Sequence, residues 1–235
     1  MTTISANLQA VKGRIIRACS SAGRDPAGIT LLAVSKTFPA TALRAAHAAG
    51  QNCFGESYVQ EALAKQAELA DLDLEWHFIG PLQSNKTKPV AEHFGWVHSV
   101  ERLKIAERLS AQRPAGLPPL KVCVQVNVSG EASKSGCAPD AAPALCHAVA
   151  KLPNLRLRGL MAIPEPGAGS AAENSALARR QFGLLRQLLE RINQTGLTLD
   201  TLSMGMSHDL EDAIVEGATL VRIGTAIFGE RNIAQ

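Results

Sequence analysis

The sequence predicts an α/β protein, a single-domain (β/α)8 barrel over residues 1–235. Three observations carry this. Short apolar runs alternate with amphipathic stretches from residue 29 onward, a pattern that selects a parallel sheet. Eight such pairs fit within the 235 residues, close to the roughly 250 of a closed barrel. The glycine-rich fingerprint of an open dinucleotide-binding sheet is missing after the first strand.

An extra helix comes first, over about 3–22: Ile4, Leu8, Val11, Ile15 and Cys19 recur at helical spacing, and Gly23 stops it. It is expected to plug the barrel bottom or pad its side. The first strand, 29–35, is too short an apolar run for a helix and delivers Lys36 before the turn at Phe38-Pro39. A helix over 40–49 ends at Gly50, and a strand at 52–54 precedes Gly55 and a helix near 57–70. The third strand, 75–79, is punctuated by Gly80-Pro81 and followed by a helix near 84–93. The fourth is Trp96-Val97-His98, with Ser99 expected to cap the helix that carries Leu103, Ala106 and Leu109.

After a Pro/Gly-rich loop at 114–119, the fifth strand, 121–128, has the clearest alternation. Val122, Val124, Val126 and Val128 form an apolar face, while Cys123, Gln125 and Asn127 offer polar groups to a barrel interior or a site. A helix near 140–151, a strand at 156–163 and a loop at 165–172 lead to the long helix 173–194, carrying Leu177, Leu184, Leu185, Leu188 and Ile192. The seventh strand, 199–203, runs into Met204-Gly205-Met206-Ser207 and a helix ending at Gly217. The eighth, 219–223, runs into Gly224-Thr225 and a last helix from Ala226.

Composition narrows the function. Lys plus Arg is 24 against 21 for Asp plus Glu, the cations are scattered, and aromatics are only 4%, which argues against a nucleic-acid groove. No apolar run is long enough to span a bilayer, and the amino terminus lacks the pattern of a secretory signal. Five cysteines without a CxxC pair fit reduced thiols in a cytoplasmic protein; Cys19, Cys53 and Cys123 read as small core residues. The histidines form no paired ligand motif, so no metal is expected, and His208 beside Asp209 reads as part of a helix start.

A barrel gathers the carboxyl ends of its strands around one mouth, where its sites are found. Lys36 alone reads as a solvated strand end. In a barrel it shares the mouth with Glu56, His77, Asn85, Asn127, Met161, Ser203, Ser207 and Arg222, all at or just beyond strand ends. The junctions after strands seven and eight fall where barrels commonly hold phosphate: Gly205 and Gly224 let an anion approach the main chain, and Ser207 and Thr225 add hydroxyl donors. Each motif alone reads as a tight turn with a capped helix. Together, opposite Lys36, they favour an anion site. A lysine amine beside a phosphate cradle suggests a phosphorylated aldehyde held as an imine, with pyridoxal 5′-phosphate the commonest candidate. Arg222 would then face the pyridine nitrogen; a salt-bridged strand end is its alternative.

The sequence also resembles the pyridoxal phosphate homeostasis proteins over nearly its whole length. The motifs include Leu31-Leu32-Ala33-Val34-Ser35-Lys36-Thr37, Phe54-Gly55-Glu56, Tyr58-Val59-Gln60-Glu61, Trp76-His77-Phe78-Ile79-Gly80-Pro81-Leu82-Gln83-Ser84-Asn85-Lys86, Ser133-Lys134-Ser135-Gly136, Arg158-Gly159-Leu160-Met161-Ala162-Ile163, Met204-Gly205-Met206-Ser207 and Arg222-Ile223-Gly224-Thr225-Ala226-Ile227-Phe228-Gly229. The resemblance implies a barrel similar to that of alanine racemase. It implies pyridoxal phosphate in an imine with Lys36, its phosphate near Ser207, Gly224 and Thr225, and Arg222 near the ring nitrogen. It further implies a carrier or regulator of the vitamin B6 pool with no established turnover, with apo-enzymes that use the cofactor as candidate recipients; one barrel with no evident arm makes a monomer the expectation. Ser57 departs from the family's asparagine after Phe54-Gly55-Glu56, and Phe38 from its frequent basic residue.

Two other readings compete. A racemase of alanine racemase type needs a base on each face of the cofactor, and the chain has one tyrosine, Tyr58, at a helix start where packing is its expected job. A class I aldolase-type barrel would use Lys36 on its substrate with no cofactor.

Overall fold

Each strand alternates an outward residue, packed under a helix, with an inward one, and eight of them close into a parallel barrel in chain order, β1-β2-β3-β4-β5-β6-β7-β8. The computed structural model describes residues 3–131, 135–165 and 167–230. The strands are β1 (Thr30–Val34), β2 (Cys53–Glu56), β3 (Glu75–Phe78), β4 (Trp96–Val100), β5 (Leu120–Gln125), β6 (Leu155–Met161), β7 (Thr201–Ser203) and β8 (Leu220–Ile223). The helices are α1 (Ile4–Ser21), α2 (Ala40–Ala48), α3 (Val59–Glu68), α4 (Thr87–His93), α5 (Leu103–Gln112), α6 (Ala142–Val149), α7 (Ala171–Gln194), α8 (Leu210–Val215) and α9 (Thr225–Phe228). Closure pairs β1 with β8, Ala33 opposite Ile223, so the first and last strand ends lie side by side.

The expected (β/α)8 class is observed. The alternation on β5 has the predicted meaning: Val122 and Val124 join the clusters under the helices, whereas Cys123 meets Trp96 and Met161 in a small cluster inside the barrel. Helix α1 pads the side. Its buried Leu8, Val11, Ile15 and Cys19 belong to the same cluster as Leu210, Ile214 and Ile227, and each large side chain so buried contributes roughly 1.5–3 kcal/mol. Arg14 on α1 grips Glu211 on α8 through two hydrogen bonds of 2.7 Å.

One boundary is corrected. Ser99 lies within β4, 3% exposed, and caps nothing; its hydroxyl has no hydrogen-bond partner. The strand continues to Val100 because a register shift between Val97 and Val100 carries it along β5. Residue Arg102 stands at the start of α5 without a side-chain cap. Helix α7 instead has a full capping box, Ser170 with Glu173, beginning two residues before the sequence pattern suggests.

Candidate functional site

At the end of β1 the chain turns sharply, and the turn is gripped from behind. Lys36 is half-buried. Thr37 has φ +70°, the one non-glycine residue with positive φ among those described, a conformation that costs about 1–3 kcal/mol. Its N–H donates to the Glu61 carboxylate at 2.6 Å. Lys65, one helical turn after Glu61 on α3, donates to Glu61 at 2.5 Å, to Glu56 at 2.7 Å and to the Ser35 carbonyl at 2.7 Å. The Ser35 hydroxyl donates to Glu56 at 2.6 Å. Burial pushes the Glu56 carboxyl up, while Lys65 and Ser35 pull it back.

Glu56 therefore does not share the mouth. It alternates with Gly55, turns toward α3, and is fully buried between barrel and helix. Its job is to fix the backbone that presents Lys36.

The β7–α8 and β8–α9 junctions meet at the same rim. Gly205 has φ +94°, and a Cβ there would fall 2.6 Å from the Ala213 Cβ, so only glycine fits. Its carbonyl accepts from the Arg222 N–H at 2.9 Å. The Ser207 hydroxyl accepts from the Ala226 N–H at 3.4 Å, tying the two junctions together. Gly224 runs close against β1: a Cβ would lie 3.2 Å from the Val34 carbonyl, two residues before Lys36. Thr225 is exposed and opens α9. Phe38 stacks on Phe228 with ring centroids 5.0 Å apart, clamping the lysine turn to the last helix.

Arg222 points inward from β8 and is 4% exposed. It donates to the Ser203 carbonyl at 2.6 Å, the Ser203 hydroxyl at 2.9 Å and the Ala162 carbonyl at 2.9 Å. Among the described residues these three contacts, and no carboxylate hydrogen bond, replace the salt bridge that a strand-end arginine could have made. Burial pushes its guanidinium down to about 10, which leaves it cationic at neutral pH.

Behind it a polar chain crosses the interior. Ser203 Oγ lies 2.7 Å from His98 Nδ1, and His98 Nε2 lies 2.9 Å from His77 Nδ1. Strands β4 and β7 are not neighbours, so the first of these contacts passes through the barrel's middle. Burial lowers both histidines' affinity for a proton.

His77 is thus corrected from mouth to core: it is 1% exposed, stacked on Trp96 at 5.3 Å, and its Nε2 faces the floor. At the floor Glu75 accepts from Trp96 Nε1 at 3.0 Å and Lys121 Nζ at 2.9 Å. Cys53, expected in an apolar surround, instead lies with its thiol 3.6 Å from that carboxylate. Tyr58 does not pack; it begins α3 with 57% of its surface exposed. Asn85 is exposed, and Asn127 folds back onto Ser129 and Gly130. Met161 is inside the barrel. Ser133 and Lys134 lie outside the described residues.

Sequence reasoning missed Glu61, Lys65 and His98. His98 was legible, two residues after inward-facing Trp96 on one strand. Lys65 was not, because nothing in a helical pattern separates a buried lysine from an exposed one.

Residues 6–232 match the family described as "Alanine racemase, N-terminal domain". The chain is 69% identical to the pyridoxal phosphate homeostasis protein of Pseudomonas aeruginosa, over 99% of this chain and 97% of that one. It is 52% identical to the protein of that name from Escherichia coli K12, covering 100% of both. The structure of PipY from Synechococcus elongatus with PLP bound superposes with a TM-score of 0.79 at 43% identity, covering 92% of this chain and 100% of that one.

Proposed function

The chain belongs to the alanine racemase N-terminal domain family and, within it, to the pyridoxal phosphate homeostasis proteins, and from that membership we propose that it binds pyridoxal 5′-phosphate and acts in the homeostasis of vitamin B6. In this reading Lys36 bonds the cofactor's aldehyde carbon as an imine, Ser207, Gly224 and Thr225 take the phosphate, and Arg222 faces the ring nitrogen. The observation that carries the assignment is the close approach of Gly224 to Val34. It brings the β8–α9 junction alongside the strand end that presents Lys36, and any side chain at 224 would crowd that contact.

When bound, the cofactor supplies an electron sink; the protein decides how strong a sink it is. Arg222 donates hydrogen bonds and carries a fixed positive charge, so it cannot hand the ring nitrogen a proton readily, and the ring stays a weak sink. Tyr58 is exposed at a helix start, and its side chain makes no capping hydrogen bond there that would aim it as a second base. Both features support a carrier or regulator with little or no turnover rather than a racemase. The five free cysteines fit a reducing cytoplasm. A monomer is proposed, with apo-enzymes as candidate recipients of the cofactor.

Borohydride reduction followed by peptide mapping tests the linkage. The modified lysine is expected to be Lys36, and Lys36→Ala is expected to abolish the visible absorption of the holo-protein. Modification of Lys65 or Lys86 instead would overturn the assignment. Sustained inversion of single-enantiomer amino acids, lost in Lys36→Ala, would reject the carrier reading in favour of a racemase.

A further inference from the structure

At the barrel floor, the end opposite Lys36, three donors of different chemistry converge. Cys53 and Glu75 are the first residues of β2 and β3 and sit directly opposite each other in register. His77 follows two places along β3, on the same face. Cys53 Sγ lies 3.6 Å and His77 Nε2 3.4 Å from Glu75 Oε2, and all three donor atoms fall within 4.8 Å of one another.

His77 Nε2 is the telling atom. The side chain is 1% exposed, yet among the described residues this nitrogen makes no hydrogen bond; it lies at ion-pair distance from Glu75, 3.4 Å, without hydrogen-bond geometry. A buried polar atom left so is costly, and a ligand bond would relieve it. It points at the carboxylate oxygen that Trp96 and Lys121 leave alone, since both of them bond Oε1.

We propose that Cys53, Glu75 and His77 form a binding site for a thiophilic divalent transition metal, with zinc the best match. Thiolate sulfur, imidazole nitrogen and carboxylate oxygen are the zinc ligand set, and three protein ligands leave a fourth position for water. That position has room: Glu75 and His77 line a solvent-connected cavity of about 250 Å³ with Thr30, Thr201 and Trp96. The donors are themselves held in place. His77 Nδ1 is engaged by His98 at 2.9 Å, which orients the ring, and Lys121 and Trp96 hold Glu75. Metal binding displaces the Cys53 thiol proton to solvent as the sulfur–metal bond forms. The thiolate and carboxylate then balance the metal's two charges; of the cations at the floor, Lys121 stays on Glu75 and Arg158 is paired with Asp200.

The proposal does not rest on the cofactor reading, because the two sites occupy opposite ends of the barrel. The test uses untagged full-length protein, stripped with chelator and titrated with cobalt(II), whose thiolate charge-transfer absorption reports a sulfur ligand directly. One equivalent is expected to bind with that band, and zinc is expected to displace it. Cys53→Ser should remove the band, and His77→Asn should weaken affinity by at least about 100-fold, beyond the usual effect of an outer-shell partner. Cys123→Ser, Cys137→Ser and Lys36→Ala should leave both unchanged. Unaltered circular dichroism of metal-free Cys53→Ser shows that it folds; Cys53→Ala serves if it does not. No thiolate band in the wild type, or a band that survives loss of Cys53, would overturn the site.

Discussion

Lys65 shows how one side chain can govern another that it does not touch through its own chemistry. The residue is 5% exposed, and its ammonium is shared among Glu56, Glu61 and the Ser35 carbonyl. Removing it leaves Glu56 buried without its counter-charge. Lys65→Met is therefore expected to cost about 3–5 kcal/mol in urea denaturation, and adding Glu56→Gln should recover much of the loss. If Lys65→Met alone proves neutral, the network is not what fixes the Lys36 turn. Gly205 makes a second residue-scale case. Gly205→Ala must take φ +94° and place its methyl 2.6 Å from the Ala213 Cβ, at a cost of about 1–3 kcal/mol for overpacking besides the backbone strain. Thermal denaturation should show the drop, and Ala213→Gly should relieve part of it.

Between elements, α1 and α8 are joined by apolar burial and by the Arg14–Glu211 pair. The Arg14 guanidinium holds the Glu211 carboxyl below the usual carboxylate range. A lowered acid stabilises the fold above its unfolded pKa, about 4.3, and that contribution drains away as pH falls through the folded value. Both partners are partly exposed, with side chains 28% and 47% accessible, so solvent screening keeps the pair at about 0.5–1 kcal/mol. Glu211→Gln is expected to lose that much at pH 7 and little at pH 3, measured by denaturant titration at both. Equal losses at the two pH values would show that the pair acts by packing alone. The Phe38–Phe228 stack is the corresponding joint at the mouth. Phe38 holds α9 against the lysine turn through this stack.

Over the whole molecule, the first helix is packed against the last elements of the chain. Leu8, Val11, Ile15 and Cys19 cover a face formed by elements from the far end of the chain. Leu8→Ala is expected to cost about 2–5 kcal/mol, with one cooperative transition if the barrel unfolds as a unit; a biphasic curve would mean that α1 detaches by itself. The alternation of apolar runs with amphipathic helices was written plainly enough to give the barrel class, the eight strands and the rim positions of Lys36, Ser207, Gly224 and Thr225, because periodicity and glycine placement are local properties of a chain. Which way a strand-end side chain turns is not local. Glu56 faces α3, His77 faces the floor, and Cys53 meets Glu75 only because the β2–β3 register sets them side by side. The choice of partner, and with it the buried lysine network, the contacts joining Ser203, His98 and His77, and the floor cluster, came from tertiary packing: a polar group's partner is chosen by distance in space, which sequence spacing does not encode.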